Sequence, residues 1–190
     1  MRHSVSALLL SLITLSATAQ SPQQVRTAIA RAAAGQVGVT KYYDPAYVRL
    51  AYPGGDIPME RGVCADVIVR ALRKAGVDLQ VELHKDMSSH FGAYPQIWRL
   101  RKPDRNIDHR RVPNLMKFFE RKGKNVPKEG PYQRGDIVAW RLSNGLHHIG
   151  IVSERSVQGT LRRYMIHNIG AGAQEEDVLR SFQIIGHYRW

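Results

Sequence analysis

Cys64 is the single cysteine of a 190-residue chain, and it opens the stretch Gly62-Val63-Cys64-Ala65-Asp66-Val67-Ile68. Apolar residues follow at Val67, Ile68, Ala71, Leu72 and Ala75, the spacing of a buried helix face. Gly76 stands where such a helix stops. A thiol in the first helical turn faces unpaired N–H groups and the positive end of the helix dipole, both of which favour thiolate. The plain alternative is a small buried hydrophobe, since free cysteine is among the most buried residue types.

A thiolate nucleophile needs a base and a third group that orients the base. His147-His148-Ile149-Gly150-Ile151-Val152 offers two histidines at the start of a strand pattern. Side-chain alternation puts His148 on the face that carries Gly150 and Val152. His167-Asn168, on the following strand, supplies the third group. Either residue could bond the ring of a histidine on the neighbouring strand, and alternation leaves both open.

The elements that must position these residues read as helices first and strands after. Ser21-Pro22-Gln23-Gln24 is a helix start with a capping pair and proline in the first turn. Residues 40–62 are rich in Tyr, Pro and Gly and read as an ordered loop. The cysteine helix comes next, then a helix over residues 78–90, an irregular charged stretch to 111 and a short helix from Pro113 to the stop at Gly123. Strands are predicted at 136–140, 147–153, 162–169 and 184–190, the first two joined by an Asn144-Gly145 turn. Helices followed by an antiparallel meander make a single α+β domain over residues 20–190.

Residues 1–19 combine Arg2, an apolar run too short to span a bilayer, and Ala17-Thr18-Ala19, the layout of a secretory leader. No cysteine follows that run to carry a lipid, so no stable membrane anchor is expected. Export to the periplasm or beyond sharpens the meaning of Cys64: an unpaired cysteine in an oxidising compartment points to a reactive thiol or an intermolecular bond. The chain carries 28 Lys+Arg against 16 Asp+Glu, a formal charge of +12; removing the leader takes one arginine and no acid, leaving +11. Such a balance favours anionic partners, and export argues for a cell-wall or other envelope substrate over nucleic acid.

At these residues the chain resembles the NlpC-type cell-wall peptidases, a branch of the papain-like cysteine hydrolases. The resemblance implies a papain-like fold, with the cysteine helix packed on an antiparallel sheet. It implies a triad of Cys64, His148 and His167, with Asn168 the alternative third member. It also implies a tyrosine twelve residues upstream of the cysteine, which here is Tyr52 in Tyr52-Pro53-Gly54-Gly55, as an oxyanion or substrate-positioning group. Where those peptidases carry Ser-Gly after the cysteine this chain has Ala65-Asp66, which places Asp66 on the substrate side. A longer resemblance runs through Cys64-Ala65-Asp66-Val67, His84-Lys85-Asp86-Met87, Asn106 to Val112 and Glu176-Asp177-Val178-Leu179. These are similar to the YijF-like exported proteins, a family of unknown function.

His84, Asp86, His90 and His109 invite a metal reading, but their spacings match no zinc motif; no metal and no cofactor are expected. His84, Asp86, Asp108, His109, Arg110 and Arg111 remain candidates for binding substrate. Paired guanidiniums could clamp a carboxylate, or the same charges could fasten a loop. The expected function is an exported cysteine amidase or peptidase acting on wall peptides. The rivals are an idle envelope-binding module on the same fold and a lipid acyltransferase or esterase.

Overall fold

The computed structural model describes residues 20–190; the expected leader lies outside the described residues. Helix α1 (Pro22–Ala34) starts as its sequence predicts. Ser21 Oγ accepts from the Gln24 N–H while the Gln24 side chain accepts from the Ser21 N–H. Two short strands, β1 (Tyr42–Tyr43) and β2 (Arg61–Gly62), pair in parallel across the loop expected over residues 40–62. Helix α2 (Cys64–Lys74) buries every side chain from Cys64 to Leu72. It ends with Gly76 at φ +86°, where the Val77 N–H reaches the Leu72 carbonyl at 2.9 Å, a conformation that glycine adopts at little cost. Helices α3 (Leu79–His90) and α4 (Val112–Arg121) follow, separated by irregular chain with 3-10 turns at Phe91–Ala93 and Asp108–Arg110.

The remainder is strand: β3 (Ile137–Arg141), β4 (His147–Ser156), β5 (Arg163–Asn168), β6 (Ala173–Glu176) and β7 (Gln183–Tyr188). They form one antiparallel sheet ordered β6-β5-β4-β3-β7. Two points depart from a plain meander. The chain adds β6, whose Ala-Gln-Glu-Glu sequence carries no strand signature and which forms by completing the free edge of β5. The last strand returns to the opposite edge and pairs with β3.

Each sheet face is buried against something different. Ile137, Ala139, Ile149, Ile151 and Ile166 pack with Val67, Ile68, Ala71 and Leu72 of α2 and with Ile29 of α1. Fully burying one such isoleucine or leucine contributes about 2 kcal/mol. Val138, Trp140, Val152 and Met165 form a second, smaller cluster on the other face with Leu179, whose carbonyl accepts from Trp140 Nε1 at 3.0 Å. Gly135 and Asp136 lock the sheet to its surroundings. A Cβ at Gly135 would run into the Arg26 backbone of α1. The buried Asp136 carboxylate accepts from His187 Nε2 at 2.8 Å and from Arg189 at 2.8 and 2.7 Å, tying β3 to the C-terminal strand.

Candidate active site

The approach to Cys64 is held from three directions. The Gly62 carbonyl accepts from the Asp44 N–H at 3.1 Å and from Asn168 Nδ2 at 2.9 Å. Val63, which precedes the helix, has no polar side chain to cap it, and Asp66 does that work from inside by accepting the Val63 N–H at 2.7 Å. The same carboxylate takes a two-point grip from Arg110, through Nε at 2.9 Å and Nη2 at 3.0 Å. Arg110 spends further donors on the carbonyls of Asp44 and Ala46, each at 3.0 Å. Asp66, expected on the substrate side, is thus a buried fastening for the start of α2. Arg110, expected as a possible carboxylate clamp, is already clamped.

The Cys64 side chain is buried, the residue being 5 % exposed. The N–H of Ile149 faces its sulfur from β4. Val152 N–H bonds to Asp136 O, and Gly135 N–H bonds to Val152 O, so alternate amides of β4 serve β3 and the Ile149 N–H points the other way, toward β5. There the β4–β5 ladder pairs Ile151 with Ile166 and continues away from residue 149, which leaves the Ile149 amide for the sulfur. Burial nevertheless pushes the thiol up to about 12, outweighing the N–H groups of Ile149, Ala65 and Cys64. The lowered thiol expected from a helix start is therefore reversed, because desolvation of an anion exceeds what a few amides return.

His148 and His167 project from the opposite sheet face. His148 Nε2 lies 2.9 Å from His167 Nδ1, the rings crossing at 79°, and the His148 ring stacks on Trp140 at 5.7 Å. Gly150 makes room for them: a Cβ there would sit 2.9 Å from Ile166 O and 3.1 Å from His167 Cβ. Burial, helped by His167, pushes His148 down to about 3, so both the histidine and the thiol rest neutral. Cys64 and the expected His148 therefore lie on opposite faces of the sheet; the thiol meets β4 at the Ile149 amide, and His147, on that same face, is the histidine that shares its cleft. Asn168 lies on the helix side, bonded to Gly62 O, with Oδ1 accepting from the Gly170 N–H at 3.1 Å. Of the two candidates for third member, His167 is the one that reaches His148.

Cys64 lines a cleft of about 570 Å³ with Tyr43, Tyr47, Trp98, Arg111 and His147. Tyr43 was not anticipated. Its hydroxyl is pushed up to about 12, chiefly by burial, and the ring lines the same cleft as Cys64 although the residue as a whole is 42 % exposed. Only the parallel pairing of Tyr43 with Gly62 brings it there, and no local pattern announces such a pairing. Tyr52, the expected tyrosine, packs edge-on against His84 at 5.6 Å and under Arg105 at 5.4 Å, outside the cleft lining.

The remaining candidates hold the irregular segment together. Asp86 accepts from Tyr94 at 2.7 Å and from Arg121 at 2.6 Å, and Arg121 keeps its carboxyl below the usual range. Buried Asp108 accepts from the Asp104 N–H and from Arg111 Nη1, and the Arg111 guanidinium lies 4.2 Å over the Trp98 ring. His109 is enclosed, and burial pushes it down to about 4. Among the described residues no group of three or more His, Cys, Asp or Glu side chains is arranged to hold a metal ion.

Residues 30–190 match a family described as a domain of unknown function, DUF1287. The chain belongs to that family. It is also 58 % identical over 167 residues to the uncharacterized protein YijF of Escherichia coli strain K12, an alignment covering 86 % of this chain and 80 % of that protein. Both findings agree with the YijF-like resemblance and carry the same description, a family of unknown function. No solved structure matches the chain.

Proposed function

We propose that this DUF1287 protein is an exported cysteine hydrolase of papain-like type, cleaving amide bonds in cell-wall peptides. The observation that carries the reading is the placing of Cys64 in the first turn of α2, lining a cleft together with His147 and set against the amide of Ile149. The leader pattern, the lone cysteine and the basic charge support action outside the cytoplasm on an anionic polymer. Catalytic contacts commonly tighten only when substrate is bound, and the neutral thiol and imidazole suit proton transfer during attack.

In this reading Cys64 Sγ bonds to the carbonyl carbon as its proton passes to the ring of His147, which lines the same cleft from the helix side of β4. The Cys64 N–H and the Tyr43 hydroxyl receive the oxyanion. The C–N bond breaks as His147 returns the proton to the leaving amine, and water then hydrolyses the thioester. The test is digestion of purified wall fragments by the wild type and by Cys64→Ala, with products identified by mass. Cleavage by the wild type and none by a folded Cys64→Ala protein is expected; equal turnover by the two overturns the reading.

A second reading draws on the cleft walls, where Val63, Ile107, Val112 and Pro113 are apolar and Ile97 and Leu146 stand exposed at 65 % and 62 %. Such walls suit an acyl chain, and the same residues would then transfer or hydrolyse a lipid ester. Release of fatty acid from a phospholipid, with wall fragments left intact, would favour it.

A further inference from the structure

Glu176 ends β6 and opens the motif Glu176-Asp177-Val178-Leu179, of which only Leu179 has a part in the fold described above. Its Oε2 lies 3.0 Å from Nε2 of His167. The His167 side chain is 1 % exposed and that of Glu176 47 %, so the acid reaches inward from solvent to a buried ring nitrogen that has no hydrogen-bond partner of its own. The register explains the approach: Met165 pairs with Glu176 and His167 with Gln174, which puts Glu176 and His167 on one face, diagonal to each other. The titratable groups facing His167 are His148 from β4 and Glu176 from β6. The flanking acids are engaged elsewhere, Glu175 with Arg155 and Asp177 with Arg162.

A neutral imidazole carries one N–H, and which nitrogen holds it decides what the ring can do. We propose that Glu176 is a positioning residue that sets the tautomers of both histidines. Its carboxylate lies off the axis of the ring N–H, a charge contact whose field favours a proton on His167 Nε2. His167 Nδ1 is then an acceptor, His148 must donate to it from Nε2, and His148 Nδ1 keeps a free lone pair. The opposite tautomers would put a proton on His148 Nδ1 and turn the bare lone pair of His167 Nε2 toward the carboxylate. The arrangement stands apart from the hydrolase reading, whose base is His147.

The experiment is long-range nitrogen NMR of the histidine rings in the purified protein, in wild type, Glu176→Gln and Glu176→Ala, across a pH series. The exposed edge position of Glu176 makes both variants compatible with folding, which the same spectra report. Wild type is expected to carry protons on Nε2 of both rings. In Glu176→Ala the His167 ring should mix tautomers and lose about 10-fold in proton affinity, the low end for removing a close opposite charge. Glu176→Gln, which keeps an acceptor, should recover the tautomer and not the affinity. A wild-type proton on His167 Nδ1, or spectra unchanged in Glu176→Ala, overturns the proposal. Turnover of wall fragments separates the two ideas. The expected tautomers without any cleavage would sink the hydrolase reading and leave the positioning role standing. Unchanged tautomers with full cleavage would do the reverse.

Discussion

Arg110 Nε and Nη2 meet the two oxygens of Asp66 at 2.9 and 3.0 Å, with side chains only 2 % and 4 % exposed. The residues are 44 apart in sequence, and the pair joins the start of the cysteine helix to the turn before α4. Removing one member strands a buried charge. Arg110→Met should cost about 3–5 kcal/mol of stability, measured by urea unfolding. Arg110→Lys should recover little, because an ammonium cannot make the two-point contact.

Two tyrosines compete for the role beside Cys64, and they predict opposite results. If wall fragments are cleaved, Tyr43→Phe should reduce kcat on the order of 10²-fold, the cost of removing one oxyanion donor. Tyr52→Phe should leave kcat near wild type, since that ring packs on His84 and Arg105.

Labelling of the single thiol measures its protonation directly. With burial pushing Cys64 up to about 12, iodoacetamide at pH 8 should modify the folded protein more slowly than a free thiol of pKa about 8.5. In denaturant the rate should rise to the ordinary value. Rapid labelling of the folded protein at pH 6 would contradict this.

Stability should fall in mild acid through His109. Folded His109 stays neutral down to about 4, whereas an unfolded histidine takes up its proton near 6.5. The unfolded state therefore binds more protons between these values, and stability is lost as pH falls from about 6.5 to 4, by up to about 3 kcal/mol. His148 acts in the same direction, to about 3. Asp108, pushed up by burial, acts in the opposite sense near the foot of the window. Urea unfolding of His109→Asn at several pH values should show a slope lower by one proton.

Gly150→Ala tests the crowding under the histidine pair. Its new Cβ would press on Ile166 O, His167 Cβ and the Trp140 ring, costing about 1–3 kcal/mol. The His148–His167 contact should change in the ring nitrogen spectra as well as the melting temperature.

Much of the architecture is legible because its signals are local. The Ser21 capping pair, the Gly76 and Gly123 stops and the alternation in β3, β4 and β5 each act over a few residues, and each element forms where its own sequence directs. Strand β6 escapes because its polar sequence depends on β5 offering a free edge. The β1–β2 pair escapes because two residues pairing across the chain leave no periodicity.

The sequence by itself determined that a lone cysteine opens a helix, that histidines begin and end neighbouring strands, and that an α+β domain positions them. Only the tertiary structure decided that His167 rather than Asn168 meets His148, because the two side chains leave β5 on opposite faces toward different neighbours. It decided that Tyr43 replaces Tyr52 at the cleft, through a pairing remote in sequence. It also decided the direction in which Cys64 titrates: a helix start favours thiolate, but the charge must be taken out of water to sit there, and the depth of burial is a property of the whole fold.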